Sequence, residues 1–202
     1  MKFFFNILVF CLLLSTNVYA EDIKNFQIEK IKIGDSALEF FNEDQLEDSE
    51  LDWFNYSYKE YSSSLLPGKG IYDWFIVSYK SDDDNFIIEG LVGILVKKNY
   101  DRKECNKELN TVALDISELF KNIKQGKKKT YKVSYNPRKI FQEADSSGKS
   151  TVTSISFDFL NKGEIILACY DIDKATNQIN SFIKDINQFD YFRIDIRSRA
   201  LA

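Results

Sequence analysis

Histidine is missing from the 202-residue chain altogether, and proline (two), glycine (eight), cysteine (three) and methionine (one) are sparse. Without an imidazole there is no Ser-His-Asp or Cys-His pair, no His-ligated zinc and no histidine general base. The shortage of Gly and Pro argues against a fibrous or low-complexity chain. Positive charge is short as well, 27 Lys+Arg against 31 Asp+Glu. An acidic chain lacks the concentrated basic face that displaces counterions from nucleic acid, so no nucleic-acid partner is expected. No phosphate-binding loop is present, and no metal or cofactor is expected. What the chain does have is apolar bulk: 44% hydrophobic residues, with 17 Phe, 11 Tyr and 2 Trp. That is the composition of a packed domain, not of a disordered one.

The first 20 residues read as an export signal. Lys2 opens it, Phe3 to Leu14 is apolar at every position but Asn6, and Val18-Tyr19-Ala20 places small residues where signal peptidase needs them. An apolar run of about 12 residues spans roughly 18 Å as a helix, short of the ~30 Å hydrocarbon core. Cys11 follows Phe10 inside that run, which does not suit lipidation. Cleavage after Ala20 leaves residues 21–202 as one domain without a membrane span, periplasmic or secreted.

Cys105 and Cys169 are then the two remaining cysteines, and an even count in an exported chain reads as a disulfide. Asp101 and Glu104 look like a helix N-cap with its reciprocal acid. Cys105, Leu109, Val112, Ile116, Leu119, Phe120 and Ile123 follow at the spacing of one helical face, which predicts a helix over about 102–124 ended by Gly126. Cys169 shares strand parity with Ile165 and Leu167. A helix laid on that face brings the two sulfurs together. Nothing resembles a redox Cys-x-x-Cys pair, and no His is available to activate a thiol.

The rest of the chain reads mostly as consecutive strands. Phe26, Ile28 and Ile31 suggest a first strand, and Ser36 with Glu39 a capping box opening a short helix over Leu38, Phe40 and Phe41. Glu43–Asp52, six acids in ten residues, suits a helical continuation or a solvated loop, with the loop preferred. Phe54, Tyr56 and Tyr58 alternate with polar residues as a strand would, and Pro67-Gly68-Lys69-Gly70 is a loop. Ile71–Lys80 and Phe86–Lys97 form a hairpin across Ser81–Asn85, with Gly90 and Gly93 marking a bulge or a close approach. Thr130–Tyr135 is a short strand, and Thr151–Leu160 pairs with Glu164–Ile172 as a second hairpin. Ile179, Phe182, Ile183 and Ile186 line a short helix. Phe192, Ile194 and Ile196 alternate with Tyr191, Arg193, Asp195 and Arg197, predicting a strand with one wet face at a sheet edge. Without βαβ alternation, the fold class is α+β: an antiparallel sheet with one long helix and short helices packed on one face.

Three features have both a chemical and a structural reading. Asp82-Asp83-Asp84 lacks the alternation and closing acid of a calcium loop and suits a solvated hairpin tip. Lys127-Lys128-Lys129 could meet anionic lipid or polysaccharide, but three lysines are few, and cations past a helix C-terminus suit its dipole. The aromatic segment 53–79, with Trp53, Tyr56, Tyr58 and Trp74 as candidate ligand-facing residues, suits a sugar, a lipid or a protein partner, or simply a sheet core.

With its short signal, Phe26-x-Ile28-Glu29-x-Ile31-x-Ile33-Gly34-Asp35-Ser36, the Cys105 helix and Cys169-Tyr170-Asp171, the chain resembles small exported proteins of AT-rich marine bacteria. Lys outnumbers Arg 22 to 5, and Ile, Asn and Phe abound, as AT-rich coding gives. The resemblance implies export and is in keeping with the Cys pairing; it implies no activity. The strand–Ile33-Gly34-x-Ser36–helix start also resembles small outer-membrane assembly lipoproteins over about a dozen residues. The leading expectation is a non-catalytic interaction or structural module with a protein or glycan partner. The alternatives are a carbohydrate- or lipid-binding module using residues 53–79, and a carboxylate-dependent hydrolase built on two acids roughly 5–10 Å apart, one with a raised pKa.

Overall fold

Valine, isoleucine and aromatic runs separated by short polar turns favour strands over helices through most of this chain, and strands dominate its structure. The computed structural model describes residues 23–51, 60–96, 101–120, 123–132, 148–160, 162–173 and 190–201. Two short strands, β1 (Gln27–Ile28) and β2 (Ile31–Lys32), form a hairpin of their own. The large sheet has eight strands. These are β3 (Tyr61–Pro67), β4 (Trp74–Lys80), β5 (Gly90–Val96), β6 (Lys124–Gln125), β7 (Lys129–Lys132), β8 (Thr151–Asp158), β9 (Gly163–Asp171) and β10 (Tyr191–Ser198). Their order is β3-β4-β5-β10-β9-β8-β6, with β7 also paired to β8, and every pairing is antiparallel.

Two α-helices are described, α1 (Glu43–Asp48) and α2 (Arg102–Leu119), so the fold is α+β with the sheet predominant. Asp101 caps α2, its carboxylate accepting from the Glu104 N–H at 2.7 Å. The buried stripe of Cys105, Leu109, Val112, Ala113 and Ile116 lies on β8, β9 and β10. On that side the sheet contributes Phe75, Val77, Leu91, Leu95, Ile155, Phe157, Ile165, Leu167, Phe192, Ile194 and Ile196 to one continuous core. The opposite side carries a smaller apolar cluster of Leu51, Leu65, Ile76, Val92, Ile94, Ile172 and Tyr191.

Several expectations need correction. The helix expected over 102–124 stops at Leu119, because Phe120 turns extended (φ −120°, ψ 89°) to bury its ring, T-shaped against Phe159 at 5.0 Å. Leu119 is left exposed, and Gly126 does not cap the helix: its N–H bonds to the Ser156 carbonyl beside β8. The acidic stretch expected as a loop is α1, since Asn42 and Gln45 form a reciprocal capping box and Leu46 anchors the turn in the core. The Ser36 segment is a 3-10 turn over Ala37–Glu39 that leaves Leu38 exposed. The expected first strand is a hairpin, reversing at Glu29-Lys30. Phe86–Glu89 lies outside β5, with Phe86 at φ +49°. The largest change concerns β10, expected at an edge and found between β5 and β9 in the middle of the sheet. The expected helix around Ile179–Ile186 and the strand through Phe54, Tyr56 and Tyr58 lie outside the described residues.

Both hairpins have the expected pairing, β4 with β5 and β8 with β9. Gly163, at φ +140° against the Arg197 carbonyl, closes the second where a side chain would collide. Gly93 marks a close approach rather than a bulge. A Cβ there would lie 2.9 Å from Cδ1 of Tyr72, whose ring covers it.

Candidate functional site

Strand periodicity places Tyr191, Arg193, Asp195 and Arg197 of β10 on the sheet side away from α2, opposite Val96, Ile94, Val92 and Gly90 of β5. This row was expected to be wet. Instead, Asp195 is 4% exposed. Its carboxylate accepts from Arg193 Nη2 at 2.8 Å, Arg197 Nη2 at 2.6 Å and Arg197 Nε at 3.1 Å. Arg197 also stands 3.6 Å from Glu164 of β9. Burial alone would push the Asp195 carboxyl up, but the Arg193 and Arg197 charges and their hydrogen bonds outweigh it and hold the carboxyl below its usual range.

A small depression bounded by Ser78, Gly90, Val92, Leu201 and the three β10 side chains adjoins this cluster, with a volume of about 10 Å³, room for roughly one water molecule. The two guanidiniums thus commit the Asp195 carboxylate to its charged form. An acid held this way does not donate a proton at neutral pH. Among the described residues, the carboxyl that burial pushes up, with help from the Glu118 charge, is Asp115 on α2, and it stands outside the depression.

Trp74 is half-buried at the margin of the smaller apolar cluster, opposite Pro67 on β3 and Ile94 on β5. Further along the same side, Tyr170 and Tyr191 stack at 4.4 Å with their rings 11° apart. Trp53, Tyr56 and Tyr58 lie outside the described residues. Phe75, next to Trp74, points the other way into the main core.

Cys105 and Cys169 are joined by a disulfide, with Cα atoms 5.8 Å apart, linking the first turn of α2 to β9. Both cysteines are buried in the main core. Among the described residues no group of His, Cys, Asp and Glu is arranged to hold a metal ion, and no helix is long and apolar enough to cross a membrane.

A second polar junction was missed from sequence. Glu29 and Lys30 reverse the β1–β2 hairpin with positive φ (48° and 75°), a conformation two-residue hairpins usually give to Asn-Gly. The Glu29 carboxylate accepts from the backbone N–H groups of Ile71 and Tyr72, clamping the hairpin to the loop after β3. Burial, reinforced by the Glu108 and Glu29 charges, pushes the Tyr72 phenol well above its usual value. No spacing rule would have found this clamp, because a lone Glu before Lys carries no turn signal.

Compared with family models, curated proteins and solved structures, the chain finds no match. Its fold and buried groups define it only as a disulfide-linked, sheet-dominated α+β protein.

Proposed function

We propose that the chain is an exported module that works through contact with a partner rather than by catalysis, periplasmic or secreted after loss of residues 1–20. The observation that carries this reading is the Cys105–Cys169 disulfide. Such bonds persist in oxidising compartments and are rare in the cytosol, and this one uses both cysteines that remain once Cys11 leaves with the leader. The Arg193-Asp195-Arg197 row supports the non-catalytic part, because buried Asp195 is satisfied by the two arginines within the sheet.

The test is expression with the leader in place, followed by fractionation, mass measurement and thiol titration under denaturation without reductant. Export predicts a periplasmic or secreted chain shortened by residues 1–20 and without free thiol. A cytosolic chain of full length with free thiols would overturn the reading. Turnover of a glycoside or ester that a single Asp or Glu substitution abolishes would overturn its non-catalytic part.

A further inference from the structure

Lys127-Lys128-Lys129 alone is too small a cluster to hold a membrane, and a helix dipole would explain it. The structure removes both objections. The helix ends at Leu119, and Lys127 follows only after β6, so the dipole has no part in placing it. Folding also adds Lys124 from β6 and Lys132 from β7 to the same sheet end, making five exposed lysines along the β6–β7 rim. Among the described residues none of the five forms an ion pair, whereas Arg102, Arg193 and Arg197 do. Asp158 faces Lys124 across the β6–β8 pair, and Lys128 Nζ donates to the neutral Asn110 side chain at 3.1 Å.

Apolar groups accompany the charge. Tyr131, between Lys129 and Lys132, is 52% exposed. Leu114, 65% exposed, lies on α2 between Asn110 and Ser117, and Ser117 Oγ donates to Gln125 of β6 at 3.2 Å. The acidic residues of α1, with Glu50 bridged to β3, gather at the other end of the sheet. Six strand steps of ~4.8 Å separate the ends by roughly 30 Å, several times the ~8 Å Debye length at physiological salt. The acids of α1 therefore do not cancel the basic rim, where the five lysines outnumber the nearby Asp158 and Glu118.

We infer that the β6–β7 rim, with Lys124, Lys127, Lys128, Lys129, Lys132 and Tyr131, docks on an anionic lipid bilayer surface. Side chains of an outermost strand flank the rim from both sheet faces, so a planar surface meeting it edge-on reaches both rows. Lysine stems lie along the interface while their ammonium groups meet lipid phosphates, and a tyrosine ring suits the headgroup depth. This names the partner of the contact module proposed above and rests on that reading for the compartment.

Protein exported by an expression host, with its disulfide confirmed, is floated with phosphatidylcholine vesicles and with vesicles containing about 30% phosphatidylglycerol. Binding is expected only to the anionic vesicles and should weaken as salt is raised. The triple variant K127Q/K128Q/K129Q should bind about a hundredfold more weakly, roughly fivefold per lysine, while the Lys→Arg triple retains binding. The remote triple K30Q/K69Q/K80Q should bind as the parent does. Thermal transitions check that each variant folds, and Y131S tests the rim by a route that leaves its charge intact, with a smaller loss expected. Equal binding to both vesicle types, or an equal loss in the remote triple, would overturn the inference, as would capture by polyglutamate with no vesicle binding. Any of these results in oxidised, exported protein leaves the export reading standing; free thiols or cytosolic retention would strike that reading instead.

Discussion

Replacing Asp195 by Asn keeps the shape of a buried side chain while removing its charge and turning one acceptor oxygen into a donor, so the cost reads the ion network with little cavity contribution. The wild-type carboxylate faces two guanidiniums at 2.6–3.1 Å, Arg193 nearly buried and Arg197 about one-third exposed. Breaking a buried pair by removing one partner costs about 3–5 kcal/mol, because the remaining charge is stranded. Solvent around Arg197 screens part of its share, which places Asp195→Asn near 3 kcal/mol. Against a typical net stability of ~5–15 kcal/mol that is a large loss. Urea unfolding followed by tryptophan fluorescence would measure it as a lowered midpoint at unchanged slope. A companion variant, Arg193→Met with Asp195→Leu, Arg197→Met and Glu164→Gln, removes these charges together with the Glu164 carboxylate that Arg197 also faces, and should cost far less than Asp195→Asn alone, since apolar replacement of a buried ion network is often neutral or stabilising. The pH dependence has a definite sign. The folded carboxyl is held below its ordinary value, so its contribution is complete above about pH 4 and disappears as pH falls through the lower folded value. Asp195→Asn should accordingly flatten the stability curve below about pH 4. Asp83, also held low by the N–H groups of Ile87 and Asn85, keeps some slope in both proteins. A cost under about 1 kcal/mol, or a charge-free variant worse than the single one, would refute the account of β10 as a central strand with a buried, charge-satisfied Asp195.

Three further outcomes are expected. Cys105→Ser with Cys169→Ser should lower stability by about 4 kcal/mol, the loop-entropy value for a separation of 64 residues, measured by urea unfolding against the oxidised parent. Lys30→Gly should raise stability by about 0.5–1 kcal/mol by relieving its positive φ, while Glu29→Ala should lower it by about 1.5–3 kcal/mol through loss of charge-assisted bonds to Ile71 and Tyr72, both read as shifts in thermal midpoint. Gly93→Ala should cost about 1–3 kcal/mol by driving a methyl into the Tyr72 ring, and Tyr72→Ala in the same chain should make the alanine nearly harmless in a double-mutant cycle.

Local patterns carried the antiparallel α+β class, the two hairpins, the Asp101 cap and the Cys105–Cys169 bond, because each rests on periodicity, capping or parity within one or two neighbouring segments. What escaped were consequences of strand order. Alternation in residues 191–198 marks a two-sided strand equally well at an edge or at the centre; only the partners β5 and β9 decide, and their pairing is not written in β10 itself. Once β10 is central, Asp195 is buried, and the same Arg-Asp-Arg spelling that suits solvent becomes an internal ion network. The lysine rim escaped for a related reason: Lys124 and Lys132 join Lys127–Lys129 only when β6 and β7 both settle on β8. The helix end was misplaced because Ile123 continues the helical spacing, whereas Phe120 gains more by turning into the core beside Phe159.

Strand order also makes the end of the chain decisive. Strands β3, β4 and β5 form one three-stranded unit, and β8 with β9 forms another that carries α2 through the disulfide. Both units share the main core, but among the described strands β10 alone pairs with both, exchanging backbone bonds with Val96–Gly90 on one side and Tyr170–Gly163 on the other. Without it, two apolar edges, Gly-Leu-Val-Gly-Ile-Leu-Val and Gly-Glu-Ile-Ile-Leu-Ala-Cys-Tyr-Asp, face solvent with open hydrogen-bonding groups, the arrangement most prone to pairing with other chains. Truncation before Tyr191 should therefore produce self-association that rises with concentration in light scattering, rather than a soluble, smaller sheet. A soluble monomeric product with a cooperative melting transition would mean that the two units are separate folding bodies, and that β10 bridges them without being needed by either.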